Sequence, residues 1–168
     1  VLVYEGAAWY SRLLDVPAEW AGQLVELVLS GVRWRSTVWL DGVVIGQGES
    51  LSVPHRYDLT PYIKPSAQQH LTIQVDNRML YPLDEGHANS EQTSTHWGGI
   101  TGGAEILVSP QSNIQSVKCR PDVNARTFHL DVALRNARAA QLEVSVINPE
   151  TQMAYSQQVT VENNHALI

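Results

Sequence analysis

The sequence predicts an all-β protein built as a sandwich or jelly roll, and three observations carry that expectation. Apolar residues recur with period two, tight-turn dipeptides separate the runs, and no window supports a long amphipathic helix. The alternation is cleanest at 71–76, where Leu71, Ile73 and Val75 share one face and Thr72, Gln74 and Asp76 the other. Many short strands with regular turns fit a sandwich better than any α-containing class.

In chain order, strands are expected at 9–16, 23–29, 37–40, 43–45, 71–76, 105–108, 128–135, 142–147 and 158–162. Asp41-Gly42 stands between the third and fourth, and both residues tolerate the positive φ of a two-residue hairpin turn. Leu59-Thr60-Pro61 reads as a cap followed by proline at the first position of a single helical turn, over 58–63. Between Met79 and Gly103 the period disappears. Runs such as Asn89-Ser90-Glu91-Gln92-Thr93 are polar and aperiodic, and long loops of this kind often carry function.

A boundary is expected near 109–113, where Ser109-Pro110-Gln111-Ser112-Asn113 is short and polar. It separates a domain at 1–110, which holds all five tryptophans, from a segment at 114–168 with none. The second segment is short for a seven-stranded sandwich and reads as part of an immunoglobulin-like domain. The chain opens on Val1 rather than Met and closes on Ala166-Leu167-Ile168, so both ends are expected to continue in a longer polypeptide.

Composition excludes several classes. With 43% hydrophobic and 17% charged residues the chain is a globular protein rather than a disordered one. A net charge of −6 argues against nucleic acid or an anionic membrane as partner. No leader or membrane span is visible. Cys119 stands alone, so no intrachain disulfide forms, and a half-buried structural thiol is expected there.

No catalytic set emerges. Asp84, Glu85 and Glu91 crowd one polar loop, where carboxylates are ordinarily solvated, and a hydrolytic pair needs two carboxyl groups flanking one bond. The six histidines lack metal-ligand spacing, so neither a metal nor another cofactor is expected. Gly46-Gln47-Gly48 has no third glycine and no following helix; it reads as a bend leaving a strand rather than a nucleotide loop. Trp9, Trp34 and Trp39 lie on strand patterns and are expected in core or interface packing, and Trp20 against a turn. Trp97 ends the polar loop before Gly98-Gly99, leaving packing and a pocket wall both open.

The order of these features resembles a known family. Gly6-Ala7-Ala8-Trp9-Tyr10-Ser11-Arg12 is similar to the opening strand of the sugar-binding domain of family 2 glycoside hydrolases, the β-galactosidase and β-glucuronidase type. Val16-Pro17 with Trp20 and Gly22, then Val38-Trp39-Leu40-Asp41-Gly42 with Gly46, resemble its next turn and central hairpin. Tyr57-Asp58-Leu59-Thr60-Pro61-Tyr62, the 71–78 run and Trp97-Gly98-Gly99-Ile100 complete the order. The resemblance covers about 4–108; 114–168 looks like the start of that family's immunoglobulin-like domain. It implies a galactose-binding-like jelly roll, an Ig-like sandwich and then a (β/α)₈ barrel that carries both catalytic glutamates and lies outside this chain. Implied partners are a carbohydrate, the downstream barrel of the same polypeptide and, as an open alternative, a second copy of the chain, at an extracytoplasmic (periplasmic or secreted) location. By position the substrate-facing candidates are Asn77, Arg78, Thr93, His96 and Trp97. Thr93 stands where the galactosidase and glucuronidase branches carry an Asp, which speaks against those two specificities because a hydroxyl is a poorer acceptor than a carboxylate. A purely structural reading, in which Asp76, Asn77 and Arg78 satisfy loop backbone, stays open. Two alternatives from other classes remain: a self-sufficient carbohydrate-binding module, which requires coplanar exposed aromatics, and a structural or interface domain.

Overall fold

The computed structural model describes residues 4–78, 98–137, 141–152, 154–161 and 163–168. These residues form an all-β protein of antiparallel strands, in two compact units, Val1–Ser109 and Pro110–Ile168.

The first unit is a sandwich. Strands β1 (Ala7–Asp15), β6 (Gln68–Asp76), β3 (Arg35–Leu40) and β4 (Val43–Glu49) form one sheet in the order β1-β6-β3-β4. The other is β5 (His55–Asp58), β2 (Leu24–Arg33) and β7 (Gly99–Ser109), in the order β5-β2-β7. Period two turns one face of each sheet inward: Val38 and Leu40 of β3 and Leu71, Ile73 and Val75 of β6 meet Val25, Leu27, Leu29 and Val32 of β2. Trp34 is buried as expected, and Trp20, in a short 3₁₀ turn at Ala18–Trp20, packs against this core. The β3–β4 connection is the two-residue hairpin that the sequence announces, with Asp41 at φ 50° and Gly42 at φ 79°.

The first unit departs from the expected pattern in β5, in β4 and in the turn after β5. β5 has no apolar alternation because its inward residues are His55 and Tyr57, both buried. Gly46 and Gly48 lie within β4 rather than in a bend, and the reason is steric: a Cβ on Gly48 would stand 2.8 Å from the Tyr57 hydroxyl and 2.9 Å from the His55 ring. In the turn after β5, Tyr62 and Ile63 donate to the Leu59 carbonyl, as in one helical turn, but the cap is Asp58, whose Oδ1 accepts from the Thr60 N–H at 2.9 Å. Thr60 instead accepts from the Val25 N–H and ties the turn to β2.

The second unit pairs β12 (His165–Leu167), β9 (Thr127–Arg135) and β8 (Asn113–Asp122) in that order, beside the hairpin of β10 (Gln141–Ile147) and β11 (Ala154–Thr160). Val132, Leu134, Ala137, Val161 and Ala166 form its core. Cys119 is exposed, not half-buried. It lies on β8, which among the described residues pairs with β9 alone and is exposed along nearly its whole length.

Candidate functional site

The rim of the first unit where β6 ends and β7 begins carries the described part of the predicted site. Cross-strand pairing assembles it. Asp76, the last residue of β6, sits opposite Ala7 of β1 and Arg35 of β3, and Gly99, the first of β7, opposite Arg33 of β2. The aperiodic 79–97 stretch leaves this rim after Arg78 and returns to it at Gly98.

Asn77 works as a clasp. Its Oδ1 accepts from the Gly6 N–H at 2.7 Å and its Nδ2 donates to the Tyr4 carbonyl at 2.8 Å, while its backbone N–H donates to the Gly6 carbonyl at 3.2 Å. The amide thereby fastens the segment before β1 to the end of β6. Gly98 lies against it, since a Cβ there would stand 2.8 Å from Nδ2. Arg78 is largely exposed and its guanidinium forks onto Asp76: Nε donates to Oδ1 at 2.9 Å and to Oδ2 at 3.1 Å, and a second nitrogen also meets Oδ2. Hydrogen bonding to Arg78 holds the Asp76 carboxyl below the usual carboxylate range, and the pair raises Arg78 in turn. Gly99 has φ 85°, and the Tyr10 hydroxyl lies where its Cβ would be. Thr93, His96 and Trp97, with Asp84, Glu85 and Glu91, lie outside the described residues. The rim therefore brings together Asn77 and Arg78 with Asp76, Gly98 and Gly99, a cluster suited to fixing backbone and to hydrogen bonding rather than to proton transfer. Among the described residues no cluster of His, Cys, Asp and Glu has the makings of a metal site.

Two further features escape the sequence reading. Ser36, His55 and Tyr57 form a buried polar chain between the sheets. His55 Nε2 lies 3.1 Å from the Ser50 carbonyl, which only accepts, so Nε2 carries the proton and Nδ1 is the acceptor. Ser36 Oγ, 2.5 Å from Nδ1, donates to it; the Tyr57 hydroxyl, 2.6 Å from Ser36 Oγ, donates to Ser36 in turn. Burial lowers the His55 pKa and raises that of Tyr57, so both are neutral at pH 7. The glycine of β4 is the one sequence signal of this buried pair.

The other feature is on the outer face of the four-stranded sheet. Trp9 is 59% exposed and meets Trp39 across β6, ring centroids 5.3 Å apart and planes tilted by 31°. Of the core or interface packing expected for Trp9 and Trp39, core packing fails, because strand alternation places them beside Gln74 and Thr72 on the outer face, away from the apolar face of β6. The rings are tilted rather than coplanar.

Comparison with known proteins follows the same lines. The family described as the glycosyl hydrolase 2 galactose-binding domain-like matches residues 2–118. A β-galactosidase large subunit from Leuconostoc lactis is 27% identical over 154 residues, covering 90% of this chain and 24% of that protein. A β-glucuronidase from Formosa agariphila is 27% identical over 106 residues, 60% of this chain and 10% of that protein. Among solved structures, a glycosyl hydrolase family 2 member from Bacteroides cellulosilyticus superposes with a TM-score of 0.72 at 14% identity, over 98% of this chain and 23% of that one. A putative β-galactosidase from Bacteroides fragilis gives 0.71 at 20% identity, over 98% and 27%. At such identities the structures establish the fold alone. The chain spans about a quarter, or less, of the length of these relatives.

Proposed function

The chain belongs to the glycosyl hydrolase 2 galactose-binding domain-like family, and from that premise we propose that it is the non-catalytic N-terminal part of a family 2 glycosidase. In this reading a (β/α)₈ barrel further along the polypeptide hydrolyses O-glycosidic bonds, and the first unit flanks the sugar pocket of that barrel. The second unit is the start of the immunoglobulin-like domain that follows the first unit in the sequence. The observation that carries the reading is the family match over 2–118, reinforced by relatives several times longer that are named β-galactosidase and β-glucuronidase.

The rim at Asp76–Arg78 and Gly98–Gly99 is the part of the unit we assign to the substrate side. Thr93, His96 and Trp97 are the residues proposed to face the sugar. Asn77 and Arg78 are committed to Tyr4, Gly6 and Asp76, so their proposed part is to hold the two ends of the 79–97 stretch in place, with the exposed guanidinium edge of Arg78 turned to ligand. Polymeric carbohydrate is met outside the cell membrane, so an extracytoplasmic location belongs to the same reading, and fractionation of source cells tests it.

The deciding experiment is enzymatic. The 168-residue chain is expected to hydrolyse no aryl glycoside, while the longest product of its gene is expected to do so with retention of configuration. A gene product that ends near Ile168, or a long product without glycosidase activity, overturns the reading. In the long protein Trp97→Ala is expected to raise KM more than about tenfold, the loss of one aromatic face against a sugar ring; unchanged KM removes Trp97 from the site.

A further inference from the structure

The outer face of the β1-β6-β3-β4 sheet is ordered in rows by its register. One row runs Ala7, Asp76, Arg35 and Glu49, and it is charged, with Arg35 paired to Glu49 at 3.1 Å. The next runs Trp9, Gln74, Thr37 and Gln47; the one after it places Thr72 beside Trp39. These two rows hold no charge. Gln47 Nε2 donates to Thr37 Oγ1 at 3.2 Å, which leaves the Thr37 hydroxyl proton free to donate outward. Among the described residues the Gln74 amide and the Thr72 hydroxyl make no side-chain hydrogen bond, although both lie directly beside the tryptophan pair. Trp9 is 59% exposed and Val44, opposite Trp39, is 55% exposed, so the uncharged rows carry an apolar patch rather than a single exposed residue.

We propose that this face is a second carbohydrate site, separate from the rim, which takes neutral pyranose chains. The chemistry of the two rows matches such a ligand. A pyranose with equatorial hydroxyls carries its C–H bonds on its faces, which stack on Trp9 and Trp39, and its hydroxyls on its edge, which reach Gln74, Thr72 and Thr37. Amides and hydroxyls both donate and accept, as sugar hydroxyls do. The 31° tilt between the indoles suits one twisted glycan chain, not a flat crystalline surface. The two rows hold no charge, and the carboxylates of the bordering row are already paired, Glu49 with Arg35 and Asp76 with Arg78, so a neutral chain leaves no charge unmatched where a uronate would.

The test is a titration of the 168-residue chain, followed through its indole N–H resonances, with neutral β-linked oligosaccharides of glucose and of xylose and with oligogalacturonate as the charged comparison. Saturable shifts of the Trp9 and Trp39 signals with the neutral chains, weakened about tenfold in Trp9→Ala and several-fold in Gln74→Ala, and weaker binding of the uronate, are the expected result. Both side chains lie on an outer face, so an unchanged melting temperature will show that the variants fold. A silent spectrum, or binding that Trp9→Ala leaves intact, overturns the site. Neither outcome bears on hydrolysis by the long protein, which the rim reading governs.

Discussion

Buried polar residues decide the most at the scale of single side chains. Ser36 donates to His55 and receives from Tyr57, so Ser36→Ala strands the His55 Nδ1 acceptor between the sheets, while the Tyr57 hydroxyl keeps the backbone carbonyl of residue 36 at 3.0 Å. That is expected to cost about 1–3 kcal/mol in urea unfolding. The pH dependence follows from the same geometry. His55 holds its proton less well folded than unfolded. The unfolded chain therefore gains a proton first as pH falls through about 6.5. Stability from this residue is full above that pH and is lost below it, down to the lower folded value. His55→Gln is expected to flatten the fall in melting temperature below pH 6.5 relative to the parent chain; an unchanged slope would assign the dependence to other groups. Asn77 makes the complementary point. Its amide bonds to Tyr4 and Gly6 fasten the segment before β1 to the end of β6.

At the scale of elements, the β3–β4 hairpin does more than turn the chain. Asp41 accepts from Lys64 at 2.9 Å, from the buried Gln69 at 3.0 Å and from the His70 N–H at 2.8 Å, so the turn residue pins the loop between β5 and β6. The Gln69 bond, with its neighbours, holds the Asp41 carboxyl far below the usual carboxylate range. Its contribution is thus present above the ordinary Asp value and is lost as pH falls below about 4. Asp41→Asn is expected to lower the melting temperature at pH 7 and to abolish part of the acid slope. Glycines separate strain from clash in the same unit. A Cβ on Gly42 meets nothing within 4 Å, so Gly42→Ala is expected to cost only the positive-φ penalty, about 1 kcal/mol. Gly31, in the β2–β7 irregularity, has φ 62° and would drive a Cβ to 2.8 Å from the Gly102 nitrogen. Gly31→Ala is expected to cost clearly more than Gly42→Ala by chemical denaturation; equal losses would mean that β7 shifts freely.

At the scale of the molecule, the two units have unequal cores. The first buries eleven apolar side chains in one cluster and the second five, among the described residues. A unit of about 60 residues is marginal on its own. Calorimetry is expected to resolve two transitions, with the second unit melting first and limited proteolysis cutting it first. A single cooperative transition would show instead that the units stabilise one another. Exposed Ile114, Val117, Phe128 and Tyr155 on the second unit agree with its modest burial.

The sequence by itself determined the all-β class, the Asp41-Gly42 hairpin and the family, because each rests on local period, turn chemistry or an ordered set of motifs. Strand β5 was hidden, since its inward residues are polar and alternation reads only hydrophobicity. The tertiary structure alone decided which partners those polar residues find: Ser36 with His55 and Tyr57, Asp41 with Gln69, Asn77 with Gly6. It also decided that Trp34 goes inward while Trp9 and Trp39 stand outside. Period two says that neighbouring residues face opposite ways, but only the packing of one sheet on another settles which face meets the core.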